Sequence, residues 1–241
     1  MLILEPNFNS MKKYLFVAVL LKLLLQPAFS FSQEKYNFTE EAGLNAAVYR
    51  GVEAPVYQFR YQGSPYAYSD SFVVGSLVYN DVEYRGLLLN LNAHKDELHL
   101  RLPAGGKVIE LDKRLVERFE IGSRRFVSYM GETAMEGLSE GFYEVLYSGK
   151  DMLLKKNVRG YYERLQTSGK GVFRYFDPIN RYYIVKDGTP VQISRMKDFA
   201  KVYKEEKKAI KVYIRKNRIR FIDMEDKDLV FREIMSFTDN N

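Results

Sequence analysis

The amino-acid sequence predicts an α+β protein, an antiparallel β-meander or curved sheet followed by two or three C-terminal helices. Leucine occupies every second position over residues 87–91 and again over residues 98–102. Successive side chains of a strand point to opposite faces of the sheet, so this period of two is typical of strands with one buried face. After residue 194 the apolar residues recur at helical spacings instead. Strands first and helices last favour an α+β fold.

Turn-forming segments separate the predicted strands, at residues 80–81, 93–97, 103–106, 148–151 and 186–189. The last of these contains Asp187-Gly188, and glycine tolerates the positive φ that a tight hairpin turn requires. Over residues 48–68, aromatic residues alternate with glycine and proline, which favours short strands there as well. Residues 160–171 are polar, and we predict a mobile loop for them.

The mature chain is predicted to have two parts, a β-rich region over residues 31–193 and a helical segment over residues 194–241 that packs on the sheet. Ser194 is a candidate N-cap, Asn217 suits a helix C-terminus, and Asp226 is a candidate cap of a last helix. The apolar residues at helical spacing are Phe199, Val202, Tyr203, Ile210, Tyr213, Ile214, Leu229, Val230, Ile234 and Phe237.

The first 30 residues have the order of segments that a secretory signal peptide requires. Met11 precedes two lysines, residues 14–25 are mostly apolar, and residues 28–30 fit a small-x-small cleavage site. We therefore predict that residues 1–30 are a signal peptide with Met11 as the true start, and that the mature protein is periplasmic or secreted. An uncleaved signal anchor is the alternative, although the interrupted apolar run is short for a membrane span.

The composition is that of an ordinary globular protein with a strand-rich body. The 241-residue chain is 46% hydrophobic and 28% charged, with 19 tyrosines, 16 phenylalanines and no tryptophan, and aromatic residues favour strands. Cysteine is absent, which excludes disulfides, thiolate metal sites, a cysteine nucleophile and a lipid-modified cysteine. Cross-strand pairing explains most tyrosines better than a recognition surface does; those considered are Tyr57, Tyr61, Tyr66, Tyr68, Tyr161, Tyr162, Tyr182 and Tyr183.

Residue patterns give no support to catalysis or metal binding. The two histidines, His94 and His99, lack the spacing that sets two ligands on one helical turn. With Asp96 and Glu97 they could ligate a metal, but turn acids and an outward-facing His99 explain the same residues, and we favour that interpretation. The motifs of a serine-nucleophile elbow and of a phosphate-binding loop do not occur. The sequence therefore assigns no catalytic, cofactor-binding or metal-binding residue and implies no cofactor.

A basic segment lies near the C-terminus. Residues 195–220 carry eleven lysines and arginines against three acids, a local net charge of +8, whereas the whole chain has +6. Such a surface suits an acidic envelope protein, a polyanionic glycan or an anionic lipid surface, and the predicted export disfavours nucleic acid. A solvated helix face that happens to be basic is the simpler alternative. The candidate anionic-partner surface, called the basic surface below, comprises Lys201, Lys204, Lys207, Lys208, Lys211, Arg215, Lys216 and Arg218.

Two segments together resemble a known group of proteins. Residues 75–84 lead into the leucine runs, and residues 111–126 carry Phe119 and Phe126 ahead of the basic helices. This arrangement resembles uncharacterised exported cell-envelope proteins of Bacteroidota, which are Gram-negative bacteria, over most of residues 48–237. That family has no assigned activity, and the resemblance implies only a cell-envelope setting.

Three functional hypotheses follow from these observations. The leading one is an exported, non-enzymatic cell-envelope protein that binds a partner or ligand. The second is a hydrolase of glycan or peptide that uses two carboxylates about 5 to 10 Å apart in a cleft; Asp70, Asp81, Asp96 and Glu97 are the candidates. The third is a periplasmic carrier of an apolar ligand, which requires an apolar cavity of several hundred cubic ångströms.

Overall fold

Strands precede helices in the described part of the protein, which contains thirteen β-strands and three α-helices. The computed structural model describes residues 46–103, 106–165, 171–219 and 224–240. The predicted signal peptide, residues 1–30, lies outside these ranges. The strands are β1 (Val52–Glu53), β2 (Val73–Tyr79), β3 (Val82–Asn92), β4 (Glu97–Arg101), β5 (Val108–Glu110), β6 (Val116–Ile121), β7 (Arg124–Tyr129), β8 (Gly141–Ser148), β9 (Met152–Lys156), β10 (Arg159–Leu165), β11 (Val172–Pro178), β12 (Arg181–Lys186) and β13 (Thr189–Ile193). The helices are α1 (Met196–Val202), α2 (Lys207–Lys216) and α3 (Met224–Asp239).

Eleven of the strands form one antiparallel sheet, in the order β1-β5-β4-β3-β2-β6-β7-β8-β9-β12-β13. Most neighbours in the sheet are also neighbours in sequence, as in a meander. Three pairs of sheet neighbours are not neighbours in sequence: β1 with β5, β2 with β6, and β9 with β12. The three helices follow the last strand. The predicted α+β architecture, with an antiparallel sheet before C-terminal helices, is confirmed.

The alternating leucines of β3 and β4 form the centre of one hydrophobic core, as their period of two predicts. The buried leucines of these strands are Leu87, Leu89, Leu91, Leu98 and Leu100. Phe119 and Phe126 pair directly across β6 and β7, and their rings stack with 4.6 Å between centroids. Such cross-strand contacts fix the register of the sheet because a slip of one residue would turn every buried side chain outward.

Two predicted hairpin turns are confirmed by their backbone angles. Asn80 and Asp81, between β2 and β3, have φ of 51° and 63°. Asp187 and Gly188, between β12 and β13, have φ of 49° and 76°. Two successive positive φ angles define the turn whose twist matches that of the flanking strands.

The loop predicted over residues 160–171 is wrong for most of its length. β10 and β11 pair antiparallel as a separate two-stranded sheet. Of the segment 160–171, residues 166–170 lie outside the described ranges. Tyr161 pairs with Phe176 and Tyr162 with Tyr175. These cross-strand aromatic pairs stabilise the hairpin despite the polar residues between them.

A second hydrophobic core lies between the helices and strands β8, β9, β12 and β13. Phe199, Ile210 and Phe231 from the three helices are buried with Leu153 and Ile184 from the sheet. The ring centroids of Phe199 and Phe231 lie 5.1 Å apart in an edge-to-face contact. In the described ranges, none of the helices combines the length and the apolar composition that crossing a membrane requires.

The helix boundaries agree with the predictions at one position and differ at two. Asn217 follows α2 directly, as expected. The residue that precedes α1 is Arg195, and the Ser194 hydroxyl donates to Asp198 instead of capping. Burial alone would raise the pKa of Asp198. Hydrogen bonds from the N–H groups of Ser194 and Arg195 and from Lys201 outweigh burial and lower this pKa to about 2. Asp226 lies inside α3, so its prediction as a cap is wrong.

Candidate functional site

A cleft of about 600 Å³, called the main cleft below, opens beside the N-terminal part of α3. Helix α3 contributes one wall, the turn before β7 contributes another, and β9 and β10 contribute residues from the sheet side. The lining residues are Ala67, Tyr68, Ser123, Arg124, Lys155, Arg159, Pro178, Asn180, Asp228, Leu229 and Arg232. Four of these described residues are cations, and Asp228 is the one acid among them.

Three polar side chains form a row across the sheet beneath this cleft. Glu144 on β8 pairs with Lys155 on β9, and Lys155 pairs with Tyr182 on β12. Residues that pair directly share one face of a sheet, so all three point to the same side. The face is the one that carries Leu153 towards the helices. Glu144 and Lys155 therefore occupy positions on a sheet face whose other residues belong to the second hydrophobic core.

The ammonium group of Lys155 is held by the acids on both sides of it. Its side chain is only 4% exposed, and Nζ lies 2.5 Å from Oδ2 of Asp228 and 3.9 Å from Oε2 of Glu144. It also donates to the hydroxyl of Tyr68 at 3.3 Å. A buried charge without such partners would cost several kcal/mol, roughly 3–5 when one member of a pair is removed. The ammonium group thus has a carboxylate on each side and a hydroxyl as a third partner.

Glu144 is buried and accepts hydrogen bonds from three side chains. It is 1% exposed and accepts hydrogen bonds from the Tyr68 hydroxyl, from Arg124 Nη1 at 3.3 Å and from Asn157 Nδ2 at 3.1 Å. The guanidinium of Arg124 also lies 3.6 Å from the centroid of the Tyr68 ring. Burial, followed by the negative charge of Glu144, raises the pKa of Tyr68, so its hydroxyl remains a donor at neutral pH.

Asp228 links the helix to the sheet. It lies on α3 and accepts from Tyr182 Oη at 2.8 Å as well as from Lys155. Burial, followed by the charge of Asp228, raises the pKa of Tyr182, so this hydroxyl is also a donor at neutral pH. These contacts fix the position of α3 over the row, and with it the wall of the main cleft.

Arg159 and Arg232 line the main cleft without a carboxylate partner in the described ranges. Arg159 donates from Nε to the carbonyl of Tyr66 at 2.9 Å and from Nη2 to the carbonyl of Ala67 at 2.5 Å. These neutral acceptors orient its guanidinium, which forms no ion pair with a described carboxylate; Asp177 acts on its charge only from a distance. The Nε atom of Arg232 is buried and has no hydrogen-bond acceptor among the described residues. An unsatisfied buried donor costs roughly 1–3 kcal/mol, so this arrangement lowers the stability of the folded protein.

Among the residues that the structure describes, the lining of the main cleft therefore carries an excess of positive charge. Glu144 compensates Arg124, and Asp228 compensates Lys155. Two cations, Arg159 and Arg232, remain. Burial lowers the pKa of Arg159 while Tyr68 and Asp177 raise it, and an arginine stays protonated at neutral pH in any case. A cleft lined by one sign of charge attracts and orients ligands of the opposite sign.

A smaller cleft of about 210 Å³, called the side cleft below, adjoins the main cleft. The two share four lining residues, which are Ala67, Tyr68, Ser123 and Arg124. The remaining residues of the side cleft are Ser69, Ser71, Val73, Asn90, Leu91, Ile121 and Gly122. Tyr68 and Arg124 thus stand at the junction of two spaces with different linings.

The residues of the basic surface are exposed, as a solvated surface requires, and lie outside the main cleft. Lys201 is paired with Asp198 at 3.1 Å. The other seven form no ion pair within the described ranges. Lys207, Lys211 and Arg215 follow one another at intervals of four along α2 and its last turn, so like charges lie side by side on the helix.

His94 and His99 do not form a joint site. His99 is 2% exposed, so the prediction of an outward position is wrong; its Nε2 lies 3.1 Å from Glu97 and its Nδ1 lies 3.2 Å from the Tyr66 hydroxyl. His94 is exposed, and its Nδ1 lies 3.0 Å from the carbonyl of Arg159. Burial lowers the pKa of His99. In the described ranges, no three side chains of the metal-ligating types cluster as a metal ion requires.

The four carboxylates considered from the sequence lie apart from the cleft. Asp81 is in the β2–β3 turn, Asp70 accepts from Ser64 at 2.5 Å, and Asp96 accepts from Lys156 at 2.7 Å and from Lys113. The carboxylates that the fold does bring together are Glu144 and Asp228. Oε2 of Glu144 lies 3.9 Å and Oδ2 of Asp228 lies 2.5 Å from Nζ of Lys155. The distance between these two oxygens therefore cannot exceed the sum of the two distances.

A local signal for this site is present in the sequence but was missed. Glu144 interrupts an otherwise apolar strand, and Lys155 follows the apolar residues of another. Charged residues at positions whose neighbours are buried are rare unless they are paired. Comparison with known proteins adds no relative, since no protein-family model, curated protein or solved structure matches the chain.

Proposed function

We propose that this chain is an exported, non-enzymatic protein of the cell envelope that binds an anionic ligand in the main cleft. The observation that carries the proposal is the pair Arg159 and Arg232, two cations that line one cleft with no carboxylate partner in the described ranges. A guanidinium offers planar, paired donors that suit carboxylate and phosphate groups. An anion there offsets the excess charge of the two guanidinium groups.

The hydrogen bonds that Glu144 and Asp228 accept support a binding role rather than catalysis. Glu144 accepts from three side chains and is enclosed, and Asp228 accepts from Lys155 and Tyr182. A general base or a nucleophile needs a lone pair directed at the substrate. These groups instead use their lone pairs to hold the cleft together.

The cell-envelope setting is supported by the sequence alone. Residues 11–30 have the order of a signal peptide, and the chain resembles exported proteins of Bacteroidota. The periplasm or the exterior of the cell would therefore be the place of binding. Fractionation of cells that express the full chain, followed by N-terminal sequencing, tests this part; cytosolic protein that retains Lys12 contradicts it.

Binding is tested by calorimetric titration of the mature protein with inorganic phosphate, sulfate and citrate. We expect saturable binding of at least one of them, weakened about tenfold, or about 1.4 kcal/mol, in Arg232→Gln and unchanged in Arg125→Gln. Arg125 is exposed, adjoins Arg124 in sequence and does not line the cleft. Absence of saturable binding at millimolar concentrations, or equal affinities of the two variants, overturns the proposal.

A second variant guards against loss of folding in Arg232→Gln. Asn180 lines the main cleft, and its Oδ1 accepts from the N–H of Val158 at 3.1 Å. Asn180→Asp keeps an oxygen for that bond and adds a negative charge to the cleft. It should weaken anion binding about as much as loss of the arginine charge does, and an unchanged affinity contradicts the proposal.

A carboxylate-dependent hydrolase is the second candidate, and the shared contact of Glu144 and Asp228 with Lys155 is the observation that favours it. Hydrolysis of glycan or peptide substrates that is abolished both by Glu144→Gln and by Asp228→Asn, in folded variants, would establish this candidate in place of the first. A carrier of an apolar ligand gains no support from the main cleft, because five of its eleven lining residues are charged.

A further inference from the structure

The linings of the two adjoining clefts divide the site into a charged and an uncharged compartment. In the main cleft, five lining residues are charged. Among the described residues that line the side cleft, Arg124 is the one that is charged, and it stands at the junction. A ligand that fills both spaces must therefore carry its charge at one end.

The uncharged compartment offers hydroxyl groups beside small apolar patches. Ser71 and Ser123 line it, and no hydrogen bond within the described ranges engages their hydroxyls. Asn90 is buried and donates from Nδ2 to the carbonyls of Ser69 at 2.8 Å and Ser71 at 3.2 Å. These bonds fix the segment that carries the serines, so the polar groups are held in place before a ligand arrives.

The size of each space limits what it can hold. Clefts that take a whole drug-sized ligand measure about 300–1,000 Å³. The main cleft, at about 600 Å³, lies within that range, whereas the side cleft, at about 210 Å³, has room only for a fragment. The Tyr68 ring borders both spaces, and an aromatic ring packs well against the C–H groups of a polar ligand.

We infer that the ligand is a sugar bearing an anionic group, with the anionic group on Arg159 and Arg232 and the uncharged sugar ring in the side cleft. This inference rests on the proposed function and adds the chemical class of the ligand. The hydroxyls of Ser71 and Ser123 donate to and accept from the sugar hydroxyls. Phosphate and carboxylate share the required chemistry, so a sugar phosphate and a uronic acid are its two sources.

The test compares probes that contain one or both groups. Calorimetric titrations use inorganic phosphate, glucose 6-phosphate, glucuronic acid and glucose with the wild-type mature protein. We expect one of the two anionic sugars to bind about tenfold more tightly than inorganic phosphate, and glucose to bind least. The anionic sugar that binds more tightly identifies the source of the charge. If both anionic sugars bind no better than phosphate, or if glucose binds as well as they do, the inference is overturned.

A variant that fills the side cleft separates the contribution of the sugar ring to affinity from that of the anionic group. Val73 on β2 lines the side cleft and is 40% exposed, and Val191 on β13 has the same exposure but lies outside both clefts. Phenylalanine suits both strand positions. Val73→Phe should remove the advantage of the anionic sugar and leave phosphate affinity unchanged, while Val191→Phe should change neither. An advantage that persists in Val73→Phe contradicts the inference.

The two proposals fail in different ways. If phosphate, sulfate, citrate and both anionic sugars all fail to bind, the anion-binding function itself is wrong. If phosphate binds through Arg232 but the sugar ring adds no affinity, only the inference about the ligand is wrong.

Discussion

Glu144 and Lys155 face each other across β8 and β9, with 3.9 Å between Oε2 and Nζ, in a layer where their strand neighbours form hydrophobic core. The pair extends to Asp228 on α3, which contacts the same ammonium at 2.5 Å. One lysine therefore joins two strands and a helix at the base of the main cleft. Because such groups are costly to bury singly, each depends on the others.

Removal of this lysine should destabilise the protein strongly. Lys155→Met keeps the length of the side chain but leaves Glu144 and Asp228 buried without their shared cation. We expect the free energy of unfolding to fall by about 3–5 kcal/mol, measured by denaturant titration. Lys150→Met, at an exposed lysine in the β8–β9 turn, should change it by less than about 0.5 kcal/mol. Equal effects of the two substitutions would show that the row carries no special coupling.

The hydroxyl of Tyr68 should contribute to stability through Glu144. Tyr68→Phe removes one of three side-chain donors to a carboxylate that is 1% exposed, and a hydrogen bond to a charged group contributes roughly 1.5–3 kcal/mol. The measurement is again the free energy of unfolding. Tyr162 is a matched control because its exposure, 40%, is almost that of Tyr68, 39%, and no hydrogen bond in the described ranges engages its hydroxyl. Tyr162→Phe should be neutral; a Tyr68→Phe variant as stable as wild type contradicts this account.

Local patterns in the sequence predicted the elements of the fold, whereas the site depends on contacts between distant residues. Leu89 predicted a strand and Asp187 predicted a turn, because the alternation of apolar residues and the residue preferences of turns act over only a few positions. Asp228 lies 73 residues beyond Lys155, and Arg159 reaches carbonyls more than 90 residues before it. No local pattern encodes such a meeting. The hairpin of β10 and β11 was missed for a related reason, since its aromatic pairs form only when both strands are present.

The basic surface should bind polyanions independently of the main cleft. Substitution of Lys207, Lys211 and Arg215 by glutamine removes three like charges at intervals of four on α2, which also relieves repulsion of about 0.2–0.5 kcal/mol per pair. We expect the variant to elute from a heparin column at lower salt than wild type, since exposed charges act through screened electrostatics. Affinity for the cleft anion should not change.

A control for that prediction removes charge elsewhere. The triple glutamine variant of Arg85, Arg118 and Arg125 loses the same number of exposed positive charges from the sheet. If retention on heparin depends only on net charge, the two variants will elute together, and the basic surface then has no specific role.

The buried His99 should make stability depend on pH in a defined window. Burial lowers its pKa in the folded protein below the usual value of about 6.5. The unfolded chain then binds a proton at a higher pH than the folded one does, so the contribution of His99 to stability is present above pH 6.5 and is lost as the pH falls through the folded pKa. Glu97, Glu110, Lys95 and Tyr66 surround the ring or act on it, and Glu97 opposes the effect of burial.

The comparison of two histidine variants isolates this contribution. Between pH 7.5 and about pH 5, the free energy of unfolding should fall less in His99→Gln than in wild type, because the variant has no imidazole to protonate on unfolding. His94 is the only other histidine of the chain and is exposed, so His94→Gln should keep the wild-type pH dependence. Urea titrations at each pH provide the measurement. An identical pH dependence in His99→Gln and wild type would mean that His99 binds its proton equally in both states, which its burial between Glu97 and Tyr66 argues against.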